Sequence, residues 1–385
     1  MKIPFIYIIR SLFQRKTSTL MTIISFTLVV LALISLLAMV EGVNKTLISS
    51  GAPDRLFIIN KNATNENQSR LSQQDIQILG TFDAIKLDDN AEPVMSNETV
   101  ATVMAQNMSG IRLQSNFRGV NLNKARSVHY QLKLIDGHFF QMESNNEIII
   151  GKEVRNALNV KVGSPLFAKQ SEWIVTGIFE DNGSPFESEI WTSRTNMALT
   201  FDRPQVTSVW ALVKNPRMMS TFVNKLNHER SLNVFATSEQ DYFKQGTIAA
   251  QGFQILTWFI AIIMSIGAIF SAMNTMYASI ADRAPELAIL RAIGFRARSV
   301  RLATLIESLI LAISGGLLAS VLALFFQGIT FRTPLTGLGY VTFEITLTPL
   351  LIFTGILFSV FMGLLGGWLP SRRAIKISII EGLNS

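Results

Sequence analysis

Cysteine is absent from the 385 residues, which excludes a disulfide framework, thiolate chemistry and any cysteine metal cage. Histidine is scarce. His129, His138 and His228 stand at no metal-ligand spacing and read as ordinary surface or turn residues. The phosphate-loop pattern G-x-x-x-x-G-K-[ST] does not occur, so ATP is not bound by that route. H-E-x-x-H, G-x-S-x-G and a Ser/His/Asp grouping are missing too, and the common hydrolytic chemistries go with them. No catalytic, cofactor or metal residue is nominated. Charge is missing where it matters most: the 24 residues from Thr17 to Val40 carry none.

What is present is apolar. Hydrophobic residues make up 49% of the chain and mean hydropathy is +0.34, a composition that leans towards membrane. The Thr17–Val40 run is longer than a signal-peptide core and ends in no A-x-A-like cleavage site, so it is expected to be an uncleaved anchor. Further apolar runs lie within Gly252–Ala278, Leu302–Gln327 and Leu347–Leu369, each exceeding the ~20 residues that cross a bilayer. The net charge of +7 could suggest nucleic acid, but its placement excludes that partner. Residues 42–251 hold 21 Lys/Arg against 21 Asp/Glu. The excess sits at Lys2, Arg10, Arg15 and Lys16, at Arg283, Arg291, Arg296, Arg298 and Arg301, and at Arg372, Arg373 and Lys376. All three groups flank apolar runs. Cytoplasmic flanks are enriched in Lys and Arg, which places both termini and the 280–301 segment inside.

The expected organisation is an amphipathic membrane-surface helix over 1–16, with apolar Phe5, Ile6, Ile9, Leu12 and Phe13 on one side. Span 1 covers 17–41, an outer domain 42–248, span 2 249–279 and a cytoplasmic segment 280–301. Span 3 covers 302–328, a short outer loop 329–346, span 4 347–370 and a cytoplasmic tail 371–385. Ala312 and Gly316 in span 3, and Gly363 and Gly367 in span 4, are small residues four apart, a spacing that lets helix backbones approach in lipid. Glu307, the acid inside a span, reads as a paired structural carboxylate in preference to a proton relay. In the outer domain, strands are expected at Arg55–Asn60, Val100–Gln106, Ile111–Gly119, Val128–Leu134, Glu147–Ile150, Trp173–Phe179 and Val209–Val213. Helices are expected at Ser72–Leu79, Lys152–Leu158 and Arg217–Arg230, with Ser72 and Asp75 opening the first. The Asn-rich stretch Asn60–Arg70 reads as a mobile loop, and the acids as a solvated surface. About 200 residues exceed one small core, so the mixed α+β domain is expected to have two lobes.

The 280–301 segment, IADRAPELAILRAIGFRARSVR, carries Leu287, Ile289, Leu290 and Ile293 beside Arg283, Glu286 and Arg291. An apolar ridge with charged flanks suits insertion into a groove of a soluble partner. Met273-Asn274, Asp282-Arg283, Glu286, Arg291-Ala292-Ile293-Gly294 and Ile306-Glu307 resemble, in order, the signature of MacB/FtsX-type ABC transporter permeases. The closing Pro370-Ser371-Arg372-Arg373-Ala374 and Ile380-Glu381-Gly382-Leu383 resemble the end of that family. Ile379 stands where it usually has proline, and Pro285 where it often has arginine. Leu71-Ser72-x-x-Asp75, Leu134 to Phe140 and Ile149 to Val154 through Val162-Gly163 resemble its periplasmic region.

The resemblance implies an α-helical bundle of four spans, both termini cytoplasmic, with a mixed α+β periplasmic domain inserted between spans 1 and 2. It implies a permease subunit in the bacterial inner membrane that passes the ATP-driven motion of a separate ABC-type ATPase to the periplasmic domain. Export or extrusion of a substrate would follow. The 280–301 segment becomes the ATPase-coupling helix, with Arg283, Glu286, Leu287, Leu290, Arg291 and Gly294 as its contacts. ATP and Mg would be bound by the ATPase and no cofactor by this chain. The further implied partners are a second permease copy (homodimer or close paralogue), a periplasmic adaptor and membrane lipid. A lipoprotein-releasing permease, or a non-transporting regulator of cell-wall hydrolases, is the alternative within the same resemblance.

Overall fold

The computed structural model describes residues 12, 14, 16–49, 51–142, 144, 146–282, 284–335 and 339–374. In chain order, α1 (Lys16–Ser49) leads to β1 (Arg55–Asn60), a 3-10 turn (Glu66–Gln68), α2 (Gln73–Gly80), β2 (Met95–Asn107) and β3 (Arg112–Val120). Next come α3 (Leu122–Val128), β4 (Lys133–Gly137), β5 (Glu147–Gly151), α4 (Lys152–Leu158), β6 (Pro165–Ala168) and β7 (Ser171–Glu180). A second 3-10 turn (Pro185–Ser188) precedes β8 (Ile190–Ser193), α5 (Arg194–Phe201), β9 (Ser208–Leu212), α6 (Met219–His228) and β10 (Val234–Ser238). The remainder is α7 (Glu239–Asp282), α8 (Ala284–Ala292), α9 (Ala297–Leu324), β11 (Thr330–Leu335), β12 (Gly339–Glu344) and α10 (Pro349–Ala374).

The chain divides into two compact units. One, built from 43–250 and 330–343, is α+β. Its sheet runs β10-β1-β9-β2-β3-β8-β5-β7-β4, with β6 against β2 and β7. Two pairings, β3 with β8 and β5 with β7, are parallel. The long strand β2 is shared along its length. Met95–Glu98 pairs with β9, and Thr99–Gln106 pairs with β3. Each part of the sheet has its own apolar core. One joins Leu56, Ile58, Val209 and Ala236 to Ile76 and Leu79 of α2 and to Phe222 and Leu226 of α6. The other joins Phe117, Ile148, Ile150 and Trp173 to Val154 and Leu158 of α4 and to Met197 and Phe201 of α5.

The other unit is helical. Lys16–Leu47, Gln254–Ala281, Ala297–Leu324 and Pro349–Arg373 are long and apolar enough to cross a membrane. Their common core takes Phe26, Val30 and Ile34 from α1, Ala268 and Ala272 from α7, Leu311 and Ala312 from α9, and Met362 from α10. Small residues and hydroxyls bring α9 and α10 together. Ser308 Oγ donates to the Gly363 carbonyl at 2.7 Å, and Ser359 Oγ donates to the Ala312 carbonyl. A Cβ added at Gly363 would lie 2.5 Å from Ala312 Cβ, and one at Gly367 2.7 Å from Ser308 Cβ. At Gly316 the nearest atom would be Ser359 Cβ, 3.1 Å away. Ala312, Gly316, Gly363 and Gly367 therefore meet in one interface.

Several elements depart from their expected bounds. Helix α1 continues past residue 41 to Ser49. Helix α7 begins at Glu239 instead of 249, because Ser238 caps it. Ser238 Oγ accepts from Asp241 N at 3.1 Å and donates to Asp241 Oδ2 at 2.7 Å, the reciprocal arrangement of a capped helix start. The strand expected at Val128–Leu134 is instead the end of α3, a turn and the start of β4. Asn121 accepts from Lys124 N at 3.4 Å, and Leu122, Ala125 and Val128 are buried at helical spacing. Strands β6, β8 and β10 and helices α3 and α5 are not among the expected elements; β6 and β8 are only four residues each, too short to carry a period-2 signal. Within the 329–346 loop, β11 and β12 pair as a two-stranded sheet, and residues 330–343 group with the α+β unit. There Ser188 Oγ lies 2.9 Å from Thr342 Oγ1, and Arg332 donates to the Gln114 carbonyl at 2.8 Å.

Gly363→Val places atoms where Ala312 already sits, and should weaken the helical unit by about 1–3 kcal/mol. Gly267→Ala, which meets nothing within 4 Å, should be neutral. Thermal unfolding of both variants in detergent checks this; equal midpoints would contradict the close α9–α10 approach.

Candidate coupling sites

Of the residues expected to couple to a motor, Arg283 lies outside the described residues, as do the side chains of Leu287, Leu290 and Arg291. The same holds for most of the 1–16 helix and for the tail beyond Ala374. What is described of α8 has a definite polarity. Ala288 is buried, whereas Glu286 is exposed, Ile289 is 47% exposed, and Ile293, one residue beyond the helix, is 65% exposed. The spacing 286, 289, 293 puts these three on one side. Gly294 then turns the chain into α9 with φ +105°, a region where a side chain is strained and glycine is at ease. Glu307 is 7% exposed within α9.

The α+β unit holds a second constellation that the sequence reading passed over. Its chain enters at residues 51–55 and leaves through α7, and the two connections lie side by side. Leu56 pairs with Ser238, and a Cβ at Gly51 would come within 3.0 Å of Gln240 Cα. Glu239, fully buried, closes the join: Oε2 accepts from Ala52 N at 2.7 Å and Oε1 from Arg55 Nη1 at 2.7 Å. Arg55 is itself fully buried and donates Nε to the Val128 carbonyl at 3.1 Å. Burial pushes the Glu239 carboxyl up to about 7, even against the neighbouring Arg55 guanidinium and the Ala52 amide.

A larger cluster surrounds Arg118, which is 1% exposed. Its Nη1 reaches Glu66 at 2.6 Å and Glu98 at 2.8 Å, and its Nε reaches Glu189 at 2.7 Å. Glu98 also meets His129 Nε2 at 2.9 Å, Trp191 Nε1 donates to Glu189 at 3.0 Å, and Ser208 donates to Glu66. Burial resists charge on Glu98, but His129 and Arg118 outweigh it and hold its carboxyl at about 2. At Glu189 burial prevails over Arg118 and the carboxyl is raised. Phe186, Trp191 and Trp210 close around the His129 ring with centroids 4.8, 5.1 and 5.5 Å away.

Three expectations are corrected here. His129 is a buried partner of Glu98 and not a surface residue, while His138 and His228 are exposed. The acids are not all solvated, since Glu66, Glu98, Glu189 and Glu239 are interior. The Asn60–Arg70 stretch is held in place by Glu66, by Asn65 capping Gln68 N, and by Asn67 bonded to Thr102 at 2.7 Å. The one local signal of the Glu239 join was the S-x-x-D pattern of Ser238 and Asp241. Nothing local marks Arg118, because its partners lie 20, 52 and 71 residues away along the chain.

Residues 19–229 match the MacB-like periplasmic core domain family, and residues 258–379 match the FtsX-like permease C-terminal family. The macrolide export ATP-binding/permease protein MacB of Campylobacter jejuni (strain 81-176) is 28% identical over 229 residues, 57% of this chain and 35% of its own length. That of Salmonella typhimurium (strain LT2) is 26% identical over 239 residues, 59% of this chain and 36% of its own. The chain thus spans about a third of the length of these curated relatives. Among solved structures, the periplasmic region of MacB from Actinobacillus actinomycetemcomitans aligns with a TM-score of 0.37 and 14% identity, over 51% of this chain and 94% of that one. The extracellular domain of the noncanonic ABC-type transporter YknZ from Gram-positive bacteria aligns with a TM-score of 0.36 and 14% identity, over 48% and 100%.

Arg118→Met strands three buried carboxylates, and should destabilise the α+β unit by about 3–5 kcal/mol. The measurement is thermal unfolding of the full chain followed by tryptophan fluorescence, to which the buried Trp173, Trp191 and Trp210 contribute. A pH test separates Glu239. Its folded carboxyl titrates near 7 against 4.5 for an ordinary glutamate, so the folded state holds this proton more tightly than the unfolded chain. Its contribution is fully present below about 4.5 and is lost as pH rises through about 7. Glu239→Gln should therefore gain stability relative to the native chain as pH rises through that window. A relative loss would mean that the Arg55 pairing outweighs burial.

Proposed function

The chain belongs to the MacB/FtsX-type permease family, and from that premise we propose that it is the permease subunit of an ABC transporter driven by a separately encoded ATPase. Its four apolar helices cross the bacterial inner membrane with both termini and the 280–301 segment in the cytoplasm, and the α+β unit stands in the periplasm. ATP and Mg are held by the ATPase. A second permease copy completes the membrane part, and a periplasmic adaptor carries the substrate onward.

The observation that best supports this reading is the extent of α7. It is a single 44-residue helix that starts at the buried Glu239 join and ends at Asp282, beside α8. When the ATPases close, they draw the two α8 segments together. Helix α7 passes that motion to Glu239, and the Ala52 and Arg55 contacts spread it to β1 and the sheet. Motion of this kind is driven only if ATP-bound and ATP-free motors grip α8 differently. Ile289 and Ile293, exposed on one side of this segment, are the apolar anchors for a groove on the ATPase, with Glu286 at the rim.

Ile289→Asp buries an unpaired charge in that groove and should weaken the complex by orders of magnitude. Because the side chain is about half exposed in this chain, insertion and unfolding midpoint should be little changed. Co-purification with the ATPase and stimulation of its ATP hydrolysis should both be lost. Full complex formation and full stimulation by the variant would remove α8 from the coupling role.

A further inference from the structure

One end of the helical unit gathers cations around aromatic rings. The Arg301 guanidinium, one turn into α9, lies 4.9 Å from the Trp368 ring centroid, and Arg372, one turn further along α10, lies 5.0 Å from the same ring. The next residue, Arg373, lies 5.4 Å from the ring of Tyr277 on α7. Among the described residues no carboxylate pairs with any of the three. Arg301 Nε is buried and has no hydrogen-bond partner. A ring face attracts one guanidinium modestly, but two on a single indole repel each other, and an orphaned Nε adds a donor without an acceptor. Arginines that merely reached for water would spread apart. Here Arg301 of α9 and Arg372 of α10 converge on Trp368, a partly exposed tryptophan of the kind that settles at a membrane surface, while Arg373 of α10 meets Tyr277 of α7.

A ligand that answers all these features is an anion with several acceptor oxygens, small enough to fit between helix ends. Phosphate matches guanidinium groups in charge and in fork geometry. We propose that Arg301, Arg372 and Arg373, with Trp368 and Tyr277, form a binding site for a phosphate group carried by the headgroup of an acidic phospholipid. The site rests on the reading of these helices as membrane spans, which would bring their ends to headgroup level. An occupied site ties α7, α9 and α10 together next to the α8 segment, and so makes the stiffness of the coupling end depend on the lipid around it.

The test uses the full chain in bilayers of phosphatidylcholine, with brominated phosphatidylglycerol or brominated phosphatidylcholine as the quenching lipid. In a Trp258→Phe chain, Trp368 is the tryptophan left in the helical unit. It should be quenched more by the acidic lipid, with a preference of about fivefold per engaged arginine. Arg301→Gln with Arg372→Gln should bring the two lipids level, and Arg301→Lys with Arg372→Lys should keep part of the preference. Equal quenching in the parent, or an undiminished preference in the glutamine variant, would overturn the site. Competition by millimolar inorganic phosphate that abolished the preference would retain the phosphate chemistry and overturn the lipid as its source. In a Trp368→Phe chain, Trp258 within the second apolar helix reports on the spans alone. If neither brominated lipid quenched it, the membrane reading itself would fall, an outcome distinct from a lost preference at Trp368.

Discussion

The α+β unit is organised around charge that has nowhere to go. Arg118 sits in β3, opposite the point where β2 passes from one apolar core to the other, and it draws Glu66, Glu98 and Glu189 inward from three separate segments. A guanidinium buried alone would be untenable, and so would any of the carboxylates. Each element that supplies one is therefore committed to a single position. The 3-10 turn at Glu66, strand β2 at Glu98 and the approach to β8 at Glu189 must all be in place before any one of them is stable. Ring contacts from Phe186, Trp191 and Trp210 then exclude water from the cluster. Buried ion clusters are not by themselves a source of net stability, but they penalise every alternative packing in which a partner is missing.

That rigidity gives the Glu239 join its meaning. The same aromatic cluster includes Phe57, Tyr242 and Phe243, which flank β1 and the first turn of α7. The two chain connections of this unit are hydrogen-bonded there to one carboxylate. Glu66, Glu98, Glu189 and Glu239 face arginines, a histidine, a serine and an indole.

The helical unit is built on the opposite economy. Its α9–α10 interface brings backbones close by having almost no side chains there, so that serine hydroxyls bond directly to the carbonyls of the facing helix. Such contacts are short-ranged and insensitive to charge, as suits helices whose surroundings supply no water. Three of its arginines, Arg301, Arg372 and Arg373, collect at one end against Trp368 and Tyr277.

Much of this was legible in the residues. Four uninterrupted apolar runs need only local composition to be seen, and their lengths settle that the helices are long enough for a bilayer. The glycine and alanine pairs of α9 and α10 repeat at helical spacing, and the strand at Arg55–Asn60 and the helix at Lys152–Leu158 follow from local periodicity. The order of short motifs from Met273 to Glu307 was enough to point to the family. The fate of the charges was not legible. A balanced count of acids and bases is the same whether the groups are solvated or interior, and Arg118 meets glutamates that are 20, 52 and 71 residues distant. Burial depends on which strands become neighbours, and that is decided by the packing of two cores against one sheet. The same holds for Arg301 and Trp368, far apart in sequence and adjacent only because α9 and α10 pack closely enough to bring their ends together.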